Sequence, residues 1–240
     1  MLTLAWGLFL LVLLAGAGAV LAALLDCDAA LLPLPLLSAA ALVLYPFGMR
    51  GNLRIGAAAA VLLLGAAVVV GVVRLRLAGV GTAVKTALTR PGFALFLGGA
   101  AFIWCLFALH RPMFTQWDEF TAWGLAPKMV VERAAFYVAD PVNLKASFTY
   151  PATSLVTFLF QPFGLWAEWA CLAALDTLAL ACVTAASALP RPRWAGGILV
   201  FGAGVVLPFF FSNNPAGSYA PQYANAMADL PAGHSACIIL

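Results

Sequence analysis

The feature that most constrains this chain is the recurrence of uncharged apolar runs long enough to cross a bilayer, beginning with LTLAWGLFLLVLLAGAGAVLAALL from Leu2 to Leu25. A helix that spans the hydrocarbon core needs about 20 mostly apolar residues. Seven stretches come near that requirement: Leu2 to Leu25, Ala29 to Phe47, Ile55 to Val73, Phe93 to Leu109, Tyr150 to Phe163, Leu165 to Leu189 and Ala195 to Phe211. Composition agrees, because 65% of the 240 residues are hydrophobic, only 9% are charged, and the mean hydropathy is +1.03. No soluble domain has that balance. The expected fold is an all-α integral membrane protein of about seven spans. The first run lacks a basic leader segment and is followed closely by others, so it reads as a membrane helix and not as a cleaved signal.

The fifth stretch stands apart. It is short and carries Thr149, Thr153, Ser154 and Gln161, so it either lines a polar interior or enters the membrane incompletely.

The net charge of +3 comes from twelve basic residues scattered among loops, with no Lys/Arg run of the kind that binds nucleic acid. No protein partner is indicated; membrane lipids are the surroundings the composition demands. Of the five cysteines, Cys105, Cys171 and Cys182 fall in apolar stretches, which reads as packing and not as a disulfide frame or metal site. His110 and His234 lack ligand spacing.

The segment RLRLAGVGTAVKTALTRPG, with Arg74, Arg76, Lys85 and Arg90, reads as a basic stretch along an anionic leaflet. By the positive-inside rule it faces the cytoplasm, which turns the next loop outward. Arg50 and Arg54, and Arg191 and Arg193, run against the rule in that arrangement. The chain divides into a four-helix region over 1–110, an outward loop over 111–150, further membrane helices over 151–211 and a polar tail over 212–240, where the chain stops as if cut short.

The outward loop carries the chemistry. Four of the nine carboxylates, Asp118, Glu119, Glu132 and Asp140, lie in it, together with Trp117, Phe120, Trp123, Phe136, Tyr137 and Phe148. Trp117, Phe120 and Trp123 recur at a spacing of three, which predicts a short interfacial helix, aromatic side down, holding Asp118 and Glu119 above the bilayer surface. Pro127 is expected to kink or end that helix near Ala126. A carboxylate at the membrane edge can act as a base towards a hydroxyl. Arg111, Lys128, Arg133 and Lys145 can neutralise a phosphate or anchor to headgroups. Glu168 and Asp176 fall inside an apolar stretch, where an acid is a candidate for a proton or ion pathway.

The segments WDEFTAWGLAPKMV, YPATSLVTFLFQPFG and SYAPQYANAMAD together resemble bacterial polytopic enzymes of the glycosyltransferase C superfamily, in particular the glycosyltransferase 39 group. The resemblance covers about Arg111 to Asp229. It implies transfer of a sugar from a polyprenyl-phosphate-linked donor to a lipid or polysaccharide acceptor, at the outer face of a bacterial cytoplasmic membrane. It makes Asp118 the catalytic base and Glu119 the second carboxylate. Lys128, Trp117, Trp123, Arg133, Tyr150, Tyr219, Tyr223 and Asp229 become the residues that contact substrate. Some members use a divalent ion such as Mg or Mn, for which Asp118 and Glu119 would be the ligands. In the superfamily the acidic loop usually follows the first helix; here about four helices precede it, and the chain is shorter. Two other readings stay open: a transporter or channel-like protein built on Glu168 and Asp176, and an inactive fragment or non-catalytic membrane subunit.

Overall fold

The computed structural model describes residues 1–115, 119–136 and 151–188, with positions 195, 198, 199 and 202. Every regular element among the described residues is helical. Five stretches are long and apolar enough to cross a membrane: Leu2–Leu25, Ala29–Met49, Leu53–Arg76, Pro91–His110 and Glu168–Ser187. The expected seventh helix, Ala195 to Phe211, lies outside the described residues apart from those isolated positions.

Helix α1 (Leu2–Leu25) ends on Asp26 in the left-handed conformation, and Asp28 then accepts the Ala30 amide to open a short 3-10 turn, Ala29–Leu31. Helix α2 (Pro33–Met49) starts on a proline, whose missing N–H costs nothing in a first turn. Helix α3 (Leu53–Leu88) is longer than the sequence led us to expect. It breaks at Arg76 (φ 60°, ψ 166°), so a spanning part is followed by a second helical piece that carries Lys85. The basic segment is therefore folded, as a helix bent off the third span. Helix α4 (Pro91–His110) returns, again opening on proline. After the loop come the short α5 (Leu125–Arg133), α6 (Pro151–Phe160) and the last described span, α7 (Glu168–Ser187).

Contacts at the helix ends fix which termini lie together. At one end of the bundle the Trp6 indole N–H donates to Leu159 O at 2.9 Å, and its ring meets Phe163 edge-on at 5.1 Å. At that end too, Leu53 N–H donates to Ala134 O and Phe136 N–H to Gly48 O, joining the α2–α3 turn to the end of α5. At the opposite end Arg90 approaches Asp28 at 4.0 Å, and Gly92 sits so close to Ser187 and Ala30 that a side chain there would collide. The chain start, the 119–136 segment and the α6–α7 turn thus share one face, and the Arg76–Arg90 segment lies at the other.

The described part of the fifth stretch is helix α6, whose ten residues reach about 15 Å, roughly half of a ~30 Å hydrocarbon core. From Thr153 onward every residue is buried, and α6 packs among α2, α5 and α7. Its last turn has orphan carbonyls, one of which Trp6 satisfies.

Candidate functional site

The loop enters the site as an extended segment after α4, where Arg111 adopts the left-handed conformation. Phe114 then inserts into the core, 7% exposed, with its ring 6.0 Å from that of Trp166 and 6.2 Å from that of Phe120. Two carboxylates hold this segment. Phe114 N–H donates to Glu168 Oε2 at 2.9 Å, and the next amide, Thr115 N–H, donates to Glu119 Oε2 at 2.7 Å. Amides bound to charged acceptors make the stronger class of hydrogen bond. Two acids 49 residues apart thus clamp consecutive peptide groups.

Glu119 opens one turn of π-helix, Glu119–Trp123, closed by Gly124 N–H donating to Glu119 O at 2.8 Å. A Cβ on Gly124 would stand 2.6 Å from that carbonyl oxygen and press on the Phe114 ring. Glycine is required there by close approach, since its φ of −94° is ordinary. Single π turns recur at functional sites because they re-aim neighbouring side chains.

Here the structure corrects the expected interfacial helix. Glu119 does not stand above the bilayer; it is fully buried, and its carboxylate is turned inward to the Thr115 amide. Of the aromatics at this spacing, Phe120 is 54% exposed and Trp123 is half-buried, while Trp117 lies outside the described residues. The reason is that the buried carboxylate needs its donors more than the rings need the interface. Pro127 does not end a helix. It lies in the first turn of α5, where its lack of an N–H is harmless. That helix is amphipathic: Ala126, Pro127, Met129, Val130 and Val131 face the core, whereas Lys128, Glu132 and Arg133 are exposed.

The α6–α7 turn brings Gln161, named from the sequence only as a polar residue of the fifth stretch, beside Trp166, which the sequence reading passed over. Gly164, at φ +73°, makes the reversal. Gln161 Oε1 accepts Ala167 N–H at 2.8 Å, but Gln161 Nε2 and Trp166 Nε1 are buried without a hydrogen-bond partner among the described residues. Deeper along the same pair of helices, Thr157 Oγ1 and Cys171 Sγ are 3.6 Å apart, and Ser154 Oγ and Asp176 Oδ2 again have no partner. Cys171 lies within electrostatic reach of Glu119, Glu168 and Asp176. Buried polar atoms are normally satisfied, so these four side chains, on α6, its turn and α7, are the ones whose partners do not lie among the described residues.

Of the residues named from the sequence, the structure joins Glu119 to Glu168 through the Phe114–Thr115 backbone and keeps Trp123 near them. Lys128 and Arg133 lie on the outer side of α5. Asp118, Trp117, Tyr150, Tyr219, Tyr223 and Asp229 lie outside the described residues. Among the described residues no group of three or more His, Cys, Asp or Glu side chains gathers to hold a metal ion. Glu168 was read from the sequence as an intramembrane acid, yet it is a first-turn acid of α7 facing the loop, where the helix dipole favours negative charge. Gln161 and Trp166 carried one signal, their position on either side of a tight glycine turn between apolar runs. No family model matches this chain, and neither a curated protein nor a solved structure matches it.

Proposed function

We propose that this protein is a membrane-embedded transferase that moves a sugar from a polyprenyl-phosphate-linked donor to a hydroxyl acceptor at the bundle face carrying residues 111–150. The observation that carries the reading is the pair of buried N–H donors of Gln161 and Trp166, which have no partner among the described residues and are set in the turn that leads to Glu168. A polyhydroxylated ligand offers lone pairs to such donors, and aromatic rings like those of Phe114 and Trp166 suit the apolar face of a sugar. Positive-inside sidedness puts this face outward in a cytoplasmic membrane.

In this reading Glu119 and Glu168 hold the loop, and Asp118 is the base. Asp118 takes the proton of the acceptor hydroxyl as its oxygen attacks the anomeric carbon; the bond from that carbon to the lipid phosphate oxygen breaks, and the phosphate leaves as its anion. Lys128 and Arg133, exposed on α5, stabilise the departing charge from the headgroup side. No step requires a metal, although Asp118 and Glu119 remain the residues that would bind one.

The test is a transfer assay with a lipid-linked sugar on purified protein. Asp118→Asn is expected to lower transfer by about 100-fold or more. Gln161→Leu and Trp166→Phe should weaken donor or acceptor binding, and hence raise KM, more than they lower kcat. Full activity in Asp118→Asn would sink the reading.

A second reading has its own observation. Asp176 is 2% exposed in the most buried span, and one carboxylate oxygen is unpartnered. Such an acid suits a proton or cation pathway. Transport abolished by Asp176→Asn, with no sugar transfer in the wild type, would favour it.

A further inference from the structure

At the opposite face, away from the loop, the kink of α3 opens a cavity of about 340 Å³ between the end of α1, the second piece of α3 and the start of α4. Its charged lining is of two signs: Asp26 from the end of α1 and Arg90 from the start of α4. Thr82 and Thr86 of α3 line one wall, and small apolar residues such as Ala22 and Ala83 form the rest. A cavity of this size takes a small ligand.

The electrostatics are arranged as a pair of opposite poles. Helix α1 ends with no basic residue in its last turn, and Asp26 follows immediately, so dipole and carboxylate both favour a cation there. Helix α4 begins with no acid in its first turn and with Arg90 at its cap, so dipole and guanidinium both favour an anion. Asp28 does not cancel this. One of its oxygens is taken by Ala30 N–H, and Arg90 stays at 4.0 Å, the length of a loose pair. Asp26 makes no ion pair with a described residue.

We propose that this cavity binds the headgroup of a zwitterionic phospholipid carrying a primary amine, with the ammonium on Asp26 and the phosphate on Arg90. The source is a membrane lipid because the alanine wall belongs to the spanning part of α1, which lets an acyl chain run on from the headgroup into the bilayer. Basic pockets at the ends of membrane helices recognise lipid headgroups by the same charge logic. This site is independent of the transfer chemistry proposed for the other face.

The test uses the full chain in detergent, with phosphatidylethanolamine or phosphatidylglycerol added and retained lipid counted by native mass spectrometry. Cys27 lines the cavity, so its rate of maleimide modification, followed on its own peptide, gives a second readout. The wild type is expected to retain one phosphatidylethanolamine, which slows modification of Cys27, and to prefer it to phosphatidylglycerol. Asp26→Asn should reduce that preference about tenfold, the loss of one charge-assisted hydrogen bond. Arg90→Gln should weaken both lipids, and Ala83→Leu, which fills the cavity and leaves every charge in place, should abolish retention. Equal retention of the two lipids by the wild type, or an unchanged preference in Asp26→Asn, would overturn the proposal. So would soluble phosphoethanolamine protecting Cys27 as well as the lipid does.

Discussion

Helices α3 and α7 both have the length and apolarity of membrane spans, yet they lie at opposite extremes of burial. Of the most apolar 18-residue window, 28% is buried in α3 and 89% in α7. The more hydrophobic of the two is the less buried, since mean hydropathy is 2.6 for α3 and 1.7 for α7. In α3 apolar side chains such as Leu62, Val69 and Val73 point away from the other described helices and are left exposed. In α7 the interior carries Asp176, Thr177, Thr184 and Ser187, all buried. Hydropathy in a membrane chain therefore reports what a residue must match, and the residues that match lipid are the ones that do not pack. The three hydroxyls are tolerated inside the bundle because they find partners there: Thr177 donates to Ala173 O at 2.7 Å, Thr184 to Leu180 O at 2.6 Å and Ser187 to Thr184 O at 2.7 Å.

The largest effect expected from this contrast comes from truncating the same residue type in both helices. Leu172 in α7 is fully buried, and Leu62 in α3 is 73% exposed. Leu172→Ala should cost about 2–5 kcal/mol of stability through the cavity it leaves. Leu62→Ala should cost less than about 0.5 kcal/mol. Unfolding by graded denaturing detergent would measure both, and equal costs would break the contrast.

A smaller effect is expected where α7 meets α4. Trp104 is fully buried, packs against Phe160 and Trp169, and donates its indole N–H to Thr177 Oγ1 at 3.1 Å. Thr177→Val keeps the shape and leaves that N–H without a partner, at a cost of about 1–3 kcal/mol. An unaltered midpoint of unfolding would show that the hydroxyl contributes nothing to the packing of α4 on α7.

The smallest effect lies at the α1–α2 link and concerns reactivity. Burial first, then the neighbouring charges of Asp28 and Asp26, push the Cys27 thiol above its ordinary range. A raised value means less thiolate at neutral pH, so maleimide should react with Cys27 more slowly than with a free thiol and gain rate as pH rises. Asp28→Asn removes one of those charges and should move the rate profile to lower pH. A profile unchanged by that substitution would leave burial and Asp26 as the causes.

The class of the protein was legible in the sequence, and so were the ends of most spans. Pro33 and Pro91 start helices where helix rules place them, and α1 spans Leu2–Leu25 as the apolar run does. The short, hydroxyl-bearing fifth stretch stood out from the other spans, and its described part is the ten-residue α6, buried from Thr153 onward. The site was read only in part. Its acidic, aromatic loop stood out by composition, but the direction of Glu119 did not, since neighbouring residues on a helix differ by about 100° and spacing alone does not say which one turns inward. Glu168, Gln161 and Trp166 were obscured because each looked like an isolated polar residue in an apolar chain.

By itself, then, the sequence determined the solvent of this protein. Long uncharged runs cannot leave their backbone or side chains in water, so they form helices in a bilayer, and their lengths follow from its thickness. Only the tertiary structure decided which helix faces lipid and which faces protein, because the bilayer is as apolar as leucine and gives no preference between the two. The decision came from specific contacts: the clamp of Glu119 and Glu168 on two consecutive amides, the Trp104 to Thr177 bond and the close packing at Gly92. Such contacts depend on residues far apart in the chain, and no local pattern encodes their meeting.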